Sequence, residues 1–321
     1  MAPFGVMNRQ SFPPLLAPGL RHIFVEFFDL KEHAPQYPHY MNEMTSEDAY
    51  EIDYQLSGTG PMPLMPEGTP PITDSMIQGG TKKYLHLQYG LISEVTRQLI
   101  ADDKYGIVKQ MPKSHARSGL FGREAVCCSL FNLGGTLITT NDGVTLFNTA
   151  HPLLGGTAAT ATAPGITNII SAAGTYPNRP NPDTDLGDTA LQQAINIFAR
   201  MPDGRGIPVH VHPRHLIHPP ELRRLTRELL GSPGVPFSAN NELNWLQAEN
   251  LQGLELNYLT STSGWGLITE KSGHQLKFYE REPLMAATDD DFKTEVLLFK
   301  STQRFSAGAT VWQGTFFSYG P

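Results

Sequence analysis

Four histidines, His210, His212, His215 and His218, fall within nine residues and are the strongest chemical signal in this 321-residue chain. His-x-His on a strand puts two imidazoles on one face, an arrangement a metal-dependent hydrolase would use through His210 and His212. Such a centre also needs further His, Asp or Lys ligands from other strand ends. Pro213, Pro219 and Pro220 crowd the segment, and the spacing from His212 to His218 matches no ligand motif, so incidental, partly exposed histidines are the favoured reading. Cys127 with His151 as base would make a thiol nucleophile, but a cysteine in an apolar helical stripe is usually packing. Asp289, Asp290 and Asp291 read as a solvated turn before a strand rather than a calcium loop, which needs oxygen ligands spaced around it. No G-x-S-x-G elbow, phosphate loop or dinucleotide fingerprint occurs. The expectation is therefore no enzyme, no metal and no cofactor.

The elements that would carry these residues are clearer. Residues 93–133 form the longest helical stretch, with Ser93 as N-cap. Val95, Leu99, Ile107, Val108 and Met111, then Ala116, Leu120, Cys127 and Phe131, keep one apolar side. Pro112 predicts a kink or break, and Gly134-Gly135 a stop. Residues 113–133 alone make a rod of roughly 30 Å. Upstream, Tyr50, Ile52, Tyr54 and Leu56 alternate with Glu51, Asp53 and Gln55, the pattern of a half-buried strand. Leu85, Leu87, Tyr89 and Leu91 alternate again and run directly into the helix. Between them, residues 58–80 hold too much proline and glycine for a core element and are too long for a hairpin turn. Residues 49–91 thus read as a two-stranded arm with an irregular tip, which should lie against another surface because an isolated ribbon is barely stable.

Residues 1–46 read as an extended arm, since prolines 3, 13, 14, 18, 35 and 38 forbid long helices and only residues 23–30 have an apolar pattern. Asn141-Asp142-Gly143 between residues 136–140 and 144–148 signals a hairpin. Residues 152–188 read as an exposed loop or insertion. Asp188 caps an amphipathic helix bearing Leu191, Ala194, Ile197, Phe198 and Met201. A buried strand within 207–217, a short helix from Pro219-Pro220 to Gly231, and strands near 254–259, 266–269, 275–279, 295–300 and 310–317 complete the chain. Helices and strands do not alternate as in βαβ units, so the fold class is α+β.

Composition sets the outer limits. Hydrophobic residues make up 40% and charged residues 17%, as in a globular chain. No apolar run reaches the roughly 20 residues of a membrane span, and no secretion signal opens the sequence. The two cysteines are adjacent, which favours reduced thiols and folding in a cytoplasm. A net charge of −7 argues against a dedicated nucleic-acid binder. Arg223, Arg224 and Arg227 lie beside Glu221 and Glu228 and read as a solvated face.

Four segments, LISEVTRQLIADDKYG (91–106), DGVTLFNTAHP (142–152), HVHPRHLIHPPEL (210–222) and TEVLLFKSTQRFSAGATVWQG (294–314), together resemble Mu-like major head subunits. These are major capsid proteins of tailed bacteriophages with the Hong Kong 97-like fold, and the resemblance spans residues 49–321 in the right order. It implies an N-terminal arm (1–48) and an E-loop with its strands (49–91). It also implies a peripheral domain with a long spine helix (92–135 and 276–310) and an axial domain (136–275 and 311–321) that includes the 152–188 insertion. The implied function is a virion shell that assembles in the host cytoplasm from pentamers and hexamers of this chain around packaged double-stranded DNA. Scaffolding, portal and cement or decoration proteins are the implied partners; no long helical segment precedes the arm, so the scaffold is expected as a separate protein. Tyr50, Ile52, Tyr54, Leu56, Met62, Leu64 and Met65 are the expected inter-subunit contacts of the E-loop. Some members of this fold join an E-loop lysine to a neighbour's asparagine. Here no lysine lies between Lys31 and Lys82, so a shell held without covalent links is expected. A cellular encapsulin compartment shares the fold and is the alternative shell.

Overall fold

Residues Leu276–Asp291 and Val296–Ala309 pair antiparallel over most of their length and form the centre of the larger sheet, with Leu276, Phe278, Leu297, Phe299 and Phe305 turned into the core. The computed structural model describes residues 35–321 apart from 104–106, 154–174, 235–242 and positions 61, 63, 72, 292, 293 and 295. In chain order the strands are β1 (Asn42–Thr45), β2 (Tyr50–Leu56), β3 (Gln78–Leu85), β4 (Leu87–Thr96), β5 (His151–Pro152) and β6 (Thr175–Tyr176), then β7 (His215–His218), β8 (Gln252–Glu255), β9 (Trp265–Ile268), β10 (Leu276–Asp291), β11 (Val296–Ala309) and β12 (Thr315–Ser318). The α-helices are α1 (Arg97–Asp102), α2 (Ile107–Asn132), α3 (Asp188–Ala199) and α4 (Arg223–Gly231).

One sheet has the order β1-β10-β11-β4, with β1 parallel to β10 and the other pairs antiparallel. A second has the order β12-β9-β7-β8, while β2 and β3 form a separate two-stranded ribbon. This is an α+β arrangement. The main core joins the two sheets: Phe278 and Phe305 of the first share a buried cluster with Leu216, Trp265 and Phe316 of the second and with Phe131 of α2. The outer half of α2 covers a smaller cluster of Val95, Val108, Ala116, Leu297 and Phe299. His115 pins the helix there, bonding Ser93 of β4 at 2.7 Å and Ser301 of β11 at 2.9 Å.

The long helix begins later than its pattern suggests. Ser93 is not an N-cap but a β4 residue paired with Phe299, and Thr96 caps α1 by accepting from Leu99 N–H at 3.4 Å. The β11 edge offers residues 87–96 a full ladder of partners, and the β-branched Ile92, Val95 and Thr96 suit it, so pairing overrides the helical spacing. Pro112 does not end α2, although it removes one interior hydrogen bond. Two boundaries also move. The expected arm gives up its last residues to the body, because Tyr37, Tyr40 and Met41 are buried core and β1 extends the sheet. The expected ribbon ends at Leu85, where His86 turns the chain into β4. Residues 23–30 lie outside the described residues. Asn141-Asp142-Gly143 does turn tightly, with Gly143 at φ +80°. Its flanks are joined by Thr140 N–H to the Val144 carbonyl at 2.9 Å and Leu146 N–H to the Ile138 carbonyl at 2.7 Å. They form only an isolated bridge at Thr139 and Thr145 rather than two full strands. Asp289, Asp290 and Asp291 are not a turn; they end β10, opposite Leu298, Leu297 and Val296.

Candidate functional site

Side chains of a ribbon alternate between its two faces, and the two faces of β2–β3 are chemically opposite. Tyr50, Ile52, Tyr54 and Leu56 point away from the body and are 45, 51, 62 and 55% exposed. Across the ladder Tyr50 meets Leu85 and Ile52 meets Lys83, whose ammonium sits 4.0 Å above the Tyr50 ring. Exposed Leu85 and Leu87 prolong the strip at the base, and Met62, Leu64, Met65 and Met76 prolong it at the tip. The result is a series of exposed apolar side chains along a thin element. Exposed apolar side chains gathered on one element mark an interaction site more often than ordinary surface.

The opposite face explains how the ribbon holds this posture. Asp53 accepts hydrogen bonds from Lys277 Nζ at 2.6 Å, Thr310 Oγ1 at 2.9 Å and Tyr279 O–H at 3.1 Å. Tyr84, buried beside them, shares a 2.7 Å hydrogen bond with Thr310. Burial, reinforced by the Asp53 charge, raises the pKa of both Tyr84 and Tyr279, so these phenols stay neutral donors. Glu51 takes a 2.6 Å bond from Ser46, Gln55 takes one from Asn141 at 2.9 Å, and Lys82 reaches the Thr139 carbonyl at 2.6 Å. Gly80 lies so close to the body that a Cβ there would fall 1.9 Å from the Asn141 carbonyl oxygen. His86 locks the base between Ser306 and Ser46, at 3.0 and 3.1 Å. At the tip, Arg205 clasps the Asp74 carboxylate with both terminal nitrogens and also donates to the Ser75 carbonyl. These bonds, led by Arg205, hold Asp74 well below the usual carboxylate range. The half-buried face of β2 is thus its polar one. The alternation reveals the two faces but not which one meets the body, because the partners of Asp53 lie more than two hundred residues away.

The candidate chemical residues do not assemble into a site. His210 and His212 are exposed and precede β7 rather than lying on it, while His218 is buried and bonds the Pro219 carbonyl. Among the described residues, no group of His, Cys, Asp and Glu is arranged to hold a metal ion. Cys127 and Cys128 are both buried and free, and burial raises both thiol pKa values, that of Cys128 to about 12. His151 does not activate Cys127: its ring nitrogens are taken by Asp142 at 2.7 Å and Asn178 at 3.1 Å, and its ring stacks on Trp312. Among the described residues, no helix is long and apolar enough to cross a membrane.

Comparison with known proteins gives the same direction. No curated protein matches the sequence. Among solved structures, the chain is similar to the capsid of cyanophage P-SCSP1u, at 11% identity over 90% of this chain and 88% of that one, with a TM-score of 0.57. It is also similar to the capsid of bacteriophage JBD30 decorated with minor capsid protein trimers, at 15% identity, 71% and 91% coverage and a TM-score of 0.52. The capsid of an empty GTA particle matches at 10% identity, 91% coverage of both chains and a TM-score of 0.52. At such identities the likeness is one of fold. The sequence itself matches the model of the phage capsid protein family over residues 80–316. Most of the chain lies within that match, so this is a member of the phage capsid protein family, a structural component of the virion.

Proposed function

We propose that this chain is the major subunit of an icosahedral phage head, assembling through pentamers and hexamers around the packaged genome, and that it works by docking rather than by catalysis. In this reading the β2–β3 ribbon is the E-loop and α2 is the spine helix. The sheet of β1, β10, β11 and β4 belongs to the peripheral domain, and the sheet of β12, β9, β7 and β8 to the axial domain. Assembly takes place in the host cytoplasm with scaffold and portal proteins, and decoration like that of the JBD30 capsid is compatible with the fold.

The observation that carries the proposal is the inverted ribbon. Its polar face is spent on the subunit's own body, which leaves Tyr50, Ile52, Tyr54 and Leu56 for a neighbour. Burying one such side chain contributes about 1.5–3 kcal/mol, so the row supplies much of a subunit contact. Linking several such contacts around a closed shell multiplies their effect. Ile52→Asp tests this directly. The variant should keep its circular dichroism and thermal midpoint, because Ile52 touches solvent in the free subunit, yet electron microscopy should show no closed shells. Normal shells from that variant would remove the ribbon from the interface.

A further inference from the structure

The spine helix carries a second unpartnered surface, of opposite character. Lys109, Lys113 and Arg117 stand at i, i+4 and i+8 on α2, all exposed, and span about 12 Å of helix. Gln110, Ser114 and Ser118 are exposed between them. Several other cations of this acidic chain are neutralised: Arg123 by Glu280, Arg179 by Asp183, Arg223 by Glu255 and Lys277 by Asp53. Among the described residues no carboxylate pairs with the three on α2; Arg117 rests on the Phe121 ring, at 4.9 Å. Like charges at i, i+4 destabilise a helix slightly, so such a row costs stability unless an outside anion compensates.

We propose that this row is a contact surface for the backbone of duplex DNA, which rests on the reading of the chain as the wall around a packaged genome. The chemistry fits a phosphate backbone better than a folded acidic protein. The three charges follow one another at one-turn spacing on a single helix, and the exposed hydroxyls and amide of Ser114, Ser118 and Gln110 beside them can donate hydrogen bonds to phosphate oxygens. Phosphate contacts of this kind position nucleic acid without reading its sequence. Three cations are also few enough to let the duplex slide and leave.

Counterion release makes the claim quantitative. Each neutralised phosphate contributes about −0.9 to the slope of log K against log salt, so three contribute about −2.7, or roughly 40-fold in affinity over a fourfold rise in salt. Binding of a short labelled duplex to the purified full-length chain, followed by fluorescence anisotropy at several salt concentrations, reads this slope. Lys113→Gln alone should reduce it by about 0.9, and the triple variant Lys109→Gln, Lys113→Gln, Arg117→Gln should remove most of the binding for every sequence tried. All three side chains are exposed, so thermal midpoints should stay within a few degrees of wild type. Unchanged DNA binding in the triple variant overturns the inference, as does a row that binds polyglutamate but not DNA. Loss of shell assembly with DNA binding intact also overturns it and makes the row a protein contact. Normal shells from a variant that has lost DNA binding support it and leave the shell reading untouched.

Discussion

His274 is buried beside β10, where its Nδ1 accepts the Leu276 N–H at 3.2 Å and its Nε2 has no partner among the described residues. Burial, with help from His215 and Lys271, lowers its pKa to about 4, and burial also lowers those of His86, His115 and His215. The sign of the linkage follows. An unfolded histidine takes its proton near pH 6.5, whereas folded His274 refuses it until about pH 4. Across that window the unfolded chain binds more protons, so stability is complete above pH 6.5 and falls as acid is added, by up to about 1.4 kcal/mol per pH unit from His274. Urea unfolding at pH 7.5 and pH 5 should show this decline, and His274→Gln should lose less than wild type over the same interval. Equal losses would mean that other groups carry the pH dependence.

At the scale of elements, the posture of the ribbon depends on how closely β3 approaches the body. Gly80→Ala puts a methyl carbon into the Asn141 carbonyl, which is backbone and cannot swing aside. The ribbon must lift, straining the bonds of Gln55 and Lys82 to the same loop. We expect a cost of about 1–3 kcal/mol in urea unfolding and faster proteolysis within residues 49–85. Gly58→Ala is the control: nothing lies within 4 Å of the added carbon, so it should behave as wild type. Similar proteolysis in the two variants would show that close approach at Gly80 does not hold the ribbon. Helix α1 teaches a related point, because the β11 ladder holds the chain extended up to Thr96 although helical spacing had already begun.

For the whole molecule, the remaining question is what holds a shell together. The tip segment 58–80 has no lysine, and the nearest, Lys82, faces inward. Burial lowers the Lys82 pKa, which would favour nucleophilic attack, but its nitrogen is engaged by the Thr139 carbonyl and cannot reach a neighbour without breaking that bond. We therefore expect shells joined by apolar docking alone, as adaptable Met62, Leu64 and Met65 suit. Particles boiled in detergent should migrate as one band at the 35.4 kDa monomer mass. A ladder of linked oligomers would refute this.

Much of this was legible in the sequence, for local reasons. The alternation of Tyr50 to Leu56, the 3.6-residue period of α2 and α3, the α+β class and the family resemblance all depend on residues close in sequence, where spacing alone dictates which side chains share a face. Tertiary structure decided what spacing cannot: which face of the ribbon turns inward, where β4 yields to α1, and that the last residues of the arm enter the core. Each was settled by a partner far along the chain. Lys277, Tyr279 and Thr310 offer Asp53 the bonds that bring its face inward. The β11 edge holds residues 87–96 extended. Phe131 and Phe278 give Tyr40 and Tyr37 ring partners in the core. A periodic pattern names the apolar side of an element, but only the assembled surfaces determine whether that side meets its own body or is left for another copy.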